Sequence, residues 1–228
     1  VLSDKEITHM LERLQKNNSQ FSMRTLSSKE EKVYEANISL FSALQYTDID
    51  KKGKFALERF IASHCIILAI EGVPAFYFNS FFATKNDDKA YSKRNVKRDL
   101  NRHKWDYSNL VSTLNNENSD EHKCYERLKK LICIRKAQPA FHPNATQFTL
   151  NLNKNIFSVW RQSRDRRQSI FAITNVTSKN IDFNTNMINL IDDEQWYDLL
   201  NPEINFKDEQ KIKLDPYQSV WITNFKED

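Results

Sequence analysis

The densest chemistry in this 228-residue chain is a run of cations: Lys93, Arg94, Lys97, Arg98, Arg102, His103 and Lys104, with Asp99 the single acid among them. Three readings compete for it. It is a solvated loop, or a surface that draws inorganic phosphate or an anionic molecule by long-range attraction. Alternatively it grips nucleic acid, with Trp105 and Tyr107 as stacking platforms. The net charge of +4 and pI near 8.8 are too mild to favour nucleic acid by themselves.

Other constellations are absent. His9, His64, His103, His122 and His142 show no pairing with cysteine or carboxylate at metal-ligand spacing, so no metal is expected. Only Gly53 and Gly72 are present, and neither a dinucleotide fingerprint nor a Walker loop can be written with two glycines. Those classes are excluded, and no cofactor is expected. Cys65, Cys124 and Cys133 cannot form a full disulfide framework and suggest a reducing, cytoplasmic setting. Cys124 and Cys133 read as small core residues, and His64 as a core histidine on an apolar helix face. The longest strongly apolar run, 65–70, is too short to cross a bilayer, so no membrane partner is expected.

The elements that must position these groups fall into two grammars. Ser3 and Glu6 form a capping box before helical spacing at Ile7, Met10, Leu11 and Leu14. A short strand at 21–25 and an exposed loop at 27–32 follow, and 34–44 reads as an extended entry into a helical turn. Residues 55–70 form a strong helix that Gly72 and Pro74 end. The apolar run 75–80 then predicts a fully buried strand. Residues 81–106 read as a long polar loop, a functional candidate for that reason. Short and longer helices follow at 107–114 and from Ser119 to the prolines at 139 and 143.

Beyond 144 the pattern alternates in short runs: 147–152, 156–162, 168–175, 188–191, 211–214 and 219–223. The expected fold is α/β over 1–139 and an antiparallel, all-β domain over 145–228. Trp160, Trp196 and Trp221 are assigned to the β core, with sugar stacking as their alternative. One buried strand is not a parallel sheet, and Val1 has no Met before it, so the chain reads as a C-terminal piece of something larger.

The run GVPAFYFNSFFATKND (72–87) followed by RDLNRHKWD (98–106) resembles the last barrel strand and its loop in the α-amylase family of glycosidases, and within it the sucrose-phosphorylase-like branch. Other pieces resemble that branch in the same order. LSDKEI (2–7) is similar to the helix inserted after the seventh strand, and VYEANISLFSAL (33–44) to the acceptor loop. LKKLICIRKAQPAFHP (128–143) is similar to the last barrel helix, and LDPYQSVWITN (214–224) to the closing strand of the β domain. The resemblance implies the C-terminal end of a (β/α)8 TIM barrel followed by an antiparallel β domain. Residues 1–53 would be the insertion, 54–139 the last barrel elements, with the eighth strand at 74–79. Phe76 and Tyr77 in a strand are the sharpest test of that barrel expectation.

It also implies a glycoside phosphorylase that transfers glucosyl to phosphate with retention, with sugar and inorganic phosphate as partners. An α-glucoside hydrolase and a non-catalytic carbohydrate-binding module are the alternatives. The family's three carboxylates would lie upstream of Val1, so no catalytic residue is assigned here and the chain alone is expected to be inactive. By the same resemblance Arg102 reaches the donor glucose, where a guanidinium fork suits sugar hydroxyls, and Asn101 accompanies it. Tyr34 and Glu35 match the acceptor loop, the ring to stack on a sugar and the carboxylate to accept from hydroxyls, while Asn37 pins the loop. Simpler sucrose phosphorylases carry an acid two residues before that tyrosine; here Lys32 stands there, which favours an anionic acceptor. A barrel cut in this way predicts self-association through apolar edges.

Overall fold

Helix α1 (Asp4–Lys16) starts where the sequence says it must. Ser3 accepts from the Glu6 N–H, and the Glu6 carboxylate accepts from the Ser3 N–H in return. The computed structural model of the chain describes residues 2–27, 30–188, 190–191, 194–207 and 210–224. After α1 come strands β1 (Gln20–Thr25) and β2 (Glu31–Asn37), then helices α2 (Leu40–Gln45), α3 (Ala56–Ala69), α4 (Asp88–Arg94), α5 (Tyr107–Leu114) and α6 (Asp120–Ala137). The rest is β: β3 (Thr146–Thr149), β4 (Ile156–Gln162), β5 (Ser169–Asn175), β6 (Ile181–Asn184), β7 (Trp196–Asp198), β8 (Asn205–Phe206), β9 (Lys211–Leu214) and β10 (Ser219–Thr223). Contacts divide the chain into two compact units, residues 1–60 with 76–125 and residues 61–75 with 126–228.

In the first unit, β1 and β2 form an antiparallel hairpin. A buried ion pair fixes the chain after α2: Arg59 Nη2 donates to Asp50 Oδ2 at 2.8 Å, and the Arg59 guanidinium also donates to the Leu44 and Gln45 carbonyls. Burial raises the Asp50 pKa, but the Phe55 and Lys54 N–H groups and Arg59 outweigh it and hold the carboxyl below its ordinary value. Gly53, at φ +69°, closes this turn with the Gln45 carbonyl 3.1 Å from where a Cβ would sit.

The second unit holds a six-stranded sheet in the order β3-β4-β5-β10-β7-β8 and a separate β6-β9 pair, all antiparallel. Its core includes Phe171, Ile173, Trp196, Leu214 and Ile222. Two buried arginines stand where α3 ends. Arg135 donates to the Leu68 and Gly72 carbonyls at 2.6 and 3.0 Å, and Arg161, fully buried, donates to Ala69, His142 and Ala145. Carbonyls with no partner inside the helix thereby find cations, which the negative end of the helix dipole favours. Burial, with Arg135 nearby, lowers the Arg161 pKa to about 10.

Several expectations are corrected. Ala75–Ser80 is not a buried strand: Phe76 and Tyr77 lie outside any strand, residues 78–82 form a 3-10 helix, and Tyr77 and Phe78 are each 56% exposed. The Tyr77 backbone is extended, but a strand exists only by pairing, and among the described residues none runs beside it. The polar loop 81–106 contains helix α4, which buries no side chain and so has no apolar period to read. Glu31 and Lys32, assigned to a loop, belong to β2, and Ser28 and Lys29 of that loop lie outside the described residues.

In the β region, Ile188 and Leu190 are buried without pairing, and Asn189 between them lies outside the described residues. Strands β6, β7 and β8 were not expected. Cys133 is exposed rather than in the core, whereas Cys124, His64, Trp196 and Trp221 are buried as anticipated; Trp160 is only partly buried against the β core, and Cys65 is buried as well. Among the described residues no helix is long and apolar enough to cross a membrane, and no group of three or more His, Cys, Asp or Glu could hold a metal.

Candidate functional site

The hairpin carries a register break at its centre. Ser22 faces Glu35 and Met23 faces Val33, so Tyr34 is an extra residue, a β-bulge. Bulges re-aim side chains and gather next to functional sites, and Tyr34 is 64% exposed. Asn37, fully buried, donates to the Gln20 carbonyl at 3.2 Å and to Ser22 Oγ at 2.9 Å, so it pins the hairpin as expected.

The segment 83–105 is tied at several points. The Asp87 N–H donates to the Leu100 carbonyl at 2.9 Å, and Asp87 Oδ1 caps α4 by accepting from the Ala90 N–H at 2.9 Å. The other Asp87 oxygen meets His103 Nδ1 at 2.7 Å. Burial raises the Asp87 pKa, yet the Ala90 N–H and His103 outweigh it and leave the carboxyl below its ordinary value. The His103 ring stands edge-on to Trp105 at 4.8 Å, Trp105 Nε1 donates to Thr84 Oγ1 at 3.2 Å, and Asn79 Nδ2 donates to the His103 carbonyl at 3.0 Å. Asn86 joins this segment to α2: its side chain accepts from the Ser39 N–H and its own N–H donates to Ser42 Oγ, at 2.8 and 2.9 Å.

Arg102 therefore sits beside a residue braced through both its ring and its carbonyl. Its own side chain is exposed and makes no hydrogen bond or ion pair among the described residues. Asn101 Oδ1 is shielded from solvent with no hydrogen-bond partner, and so is Asp99 Oδ2 two residues before it. Glu35 is not free. Arg98 reaches its Oε2 with both Nε and Nη2 at 3.0 Å, while the neighbouring Lys97 Nζ donates to the Phe21 carbonyl on β1 at 2.7 Å. The short 3-10 turn Lys97–Asp99 thus grips both strands of the hairpin. No hydrogen bond or ion pair joins Arg102 or Asn101 to Tyr34 or Glu35 among the described residues. The ion pair of Arg98 with Glu35 escaped sequence reasoning; an Arg in a cationic run carries no signal of a partner 63 positions away.

No family model matches the chain. The glucosylglycerate phosphorylase of Escherichia coli (strain K12) is 30% identical over 223 residues, covering 97% of this chain and 38% of that protein. The crystal structure of sucrose 6F-phosphate phosphorylase from Thermoanaerobacter thermosaccharolyticum matches with a TM-score of 0.61 at 19% identity, over 77% of this chain and 32% of that one. The α-amylase from Geobacillus thermoleovorans, complexed with acarbose, matches with a TM-score of 0.60 at 14% identity, over 84% and 37%. The chain spans less than half the length of the curated relatives it matches.

Proposed function

We propose that this chain, which belongs to the sucrose-phosphorylase-like branch of the α-amylase family as a C-terminal portion, supplies part of the sugar site of a glycoside phosphorylase. In this reading the whole protein takes an α-glucoside and inorganic phosphate. A carboxylate outside this chain attacks the anomeric carbon while a carboxylic acid protonates the leaving oxygen. Phosphate then displaces the enzyme carboxylate, and the two inversions give retention. Residues 1–139 are its part before the β domain at 145–228, and the eighth barrel strand expected at 74–79 drops out of the reading, because Phe76 and Tyr77 lie outside any strand.

Arg102 donates to the hydroxyls of the donor glucose, and Asn101 offers the acceptor atom that nothing else in the segment uses. Tyr34, lifted by the bulge, stacks on the acceptor. Glu35 acts beside it as the anchor of Arg98. The observation that carries the reading is the match of 97% of the chain to a glucosylglycerate phosphorylase at 30% identity.

The experiment compares the full polypeptide, its Arg102→Met variant and this chain alone, with glucose 1-phosphate release as the readout. The variant is expected to lose about 100-fold in kcat/KM, equivalent to about 2.7 kcal/mol of transition-state stabilisation. This chain alone is expected to show no turnover, because a retaining site needs two carboxyls about 5–5.5 Å apart. Unchanged kcat/KM in the variant would remove Arg102 from the donor site. Release of free glucose at the same rate without phosphate would favour the hydrolase.

A further inference from the structure

We infer that the cavity between α3, α6 and the turn before β10 binds a small amphiphilic carboxylate, with its apolar body on Ile61 and Leu131 and its anion on Lys130. None of the residues assigned to the sugar site lines this cavity, so binding there does not depend on the phosphorylase reading.

Helical spacing makes the space. Ile61 and Cys65 lie four apart on α3, and Arg127, Lys130 and Leu131 lie at i, i+3 and i+4 on α6, so one stripe of each helix lines it. Ile61, Cys65 and Leu131 are buried and form the floor. Every lining residue belongs to the second unit. The volume is about 250 Å3, below the roughly 300–1,000 Å3 of sites for drug-sized ligands, but built on the same plan of apolar lining with a few placed polar groups. The turn Asp215–Gln218 closes one side, with the Gln218 N–H donating to the Asp215 carbonyl at 3.0 Å. Pro216 takes its second position and Tyr217 its third, at φ +58°, where such a turn favours glycine. The chain thus accepts an unfavourable backbone conformation and places a tyrosine on the cavity wall.

Charge selects the ligand. Lys130, exposed at the mouth, donates to the Leu200 carbonyl at 3.3 Å and forms no ion pair among the described residues. An ammonium carries three donors, so two remain. Arg127 adds a second cation to the lining, and among the described residues no Asp or Glu lines the cavity. Asp198 attracts Lys130, but it stands outside the lining and its Oδ1 is held by the Trp221 and Leu200 N–H groups. The floor adds no negative charge, since burial pushes the Cys65 thiol up to about 11 and keeps it protonated at neutral pH. Gln218 accepts from the Asp215 N–H through Oε1 at 2.8 Å, and its Nε2 group has no partner among the described residues. A monoanion therefore meets an available ammonium and an amide donor at the mouth, while Ile61 and Leu131 favour a hydrocarbon or aromatic body below.

The test follows the 13C-labelled methyl groups of Ile61 and Leu131 in the full chain by NMR. Benzoate, benzyl alcohol and inorganic phosphate are titrated in turn near neutral pH at fixed ionic strength. Benzoate should shift both signals saturably and bind about fivefold tighter, or more, than either of the others, the worth of one partly screened ion pair. Benzyl alcohol lacks the charge and phosphate lacks the apolar body. Lys130→Met should bring benzoate down to the affinity of benzyl alcohol, and Lys130→Arg should keep the preference. Because Lys130 is exposed, both variants should retain the methyl dispersion of the folded chain. No saturable shift with benzoate, benzoate no tighter than benzyl alcohol, phosphate equal to benzoate, or unchanged benzoate affinity in Lys130→Met would each overturn the inference.

Discussion

Replacing Asp198 by Asn should stabilise the protein at neutral pH and flatten its stability across the acid range. Asp198 ends β7 with 2% of its surface exposed, and its Oδ1 accepts from the Trp221 and Leu200 N–H groups at 2.9 and 3.0 Å. Burial pushes its pKa from 3.8 up to about 6, against the pull of those two N–H groups and of Lys130. Since the folded form holds the proton more tightly than the unfolded chain, stability is full below pH 3.8 and falls as pH rises to about 6. The gap of about 2 pKa units, at 1.36 kcal/mol each, bounds the loss at about 3 kcal/mol.

An Asn keeps an oxygen for both N–H groups and removes the buried charge. Its gain at pH 7.5 is therefore expected at about 1–3 kcal/mol, or about 2–4 °C in melting temperature per kcal/mol for a chain of this size. Urea unfolding of both proteins at half-unit steps from pH 3.5 to 7.5 reads it directly. The difference should be near zero or negative at the acid end and grow through pH 4–6. A difference that is flat with pH, or an Asn variant less stable at pH 7.5, would refute the reasoning.

Arg161→Met should destabilise by about 3–5 kcal/mol in denaturant unfolding, because it strands the buried carbonyls of Ala69 and Ala145 and removes the donor to the part-buried His142 carbonyl. A loss under 1 kcal/mol would contradict that account. Asn86→Ala removes the acceptor of the Ser39 N–H and should cost about 1–2 kcal/mol, with faster amide exchange at Ser39 as the local check.

The legible parts of the fold were those whose signal is local. The Ser3–Glu6 box set the start of α1, and β4, β9 and β10 lie where alternation put them. Strands β7 and β8 span three and two residues, too short for a period, and owe their pairing to β10 and to each other. Residues 75–80 failed for the opposite reason: the composition fits a buried strand, but strand formation depends on a neighbour that composition does not contain. For the site, the types at Arg102, Asn101, Tyr34 and Glu35 were readable as a resemblance. Their surroundings were not, because the bulge at Tyr34, the brace on His103 and the pairing of Glu35 with Arg98 arise only when distant segments meet.

The most direct test of the central claim is the anomeric form of the product. Full-length polypeptide containing this chain, supplied with an α-glucoside and phosphate, is followed by 1H and 31P NMR in the first minutes of reaction. The account predicts α-glucose 1-phosphate. The β-anomer, or free glucose with phosphate unconsumed, would contradict it.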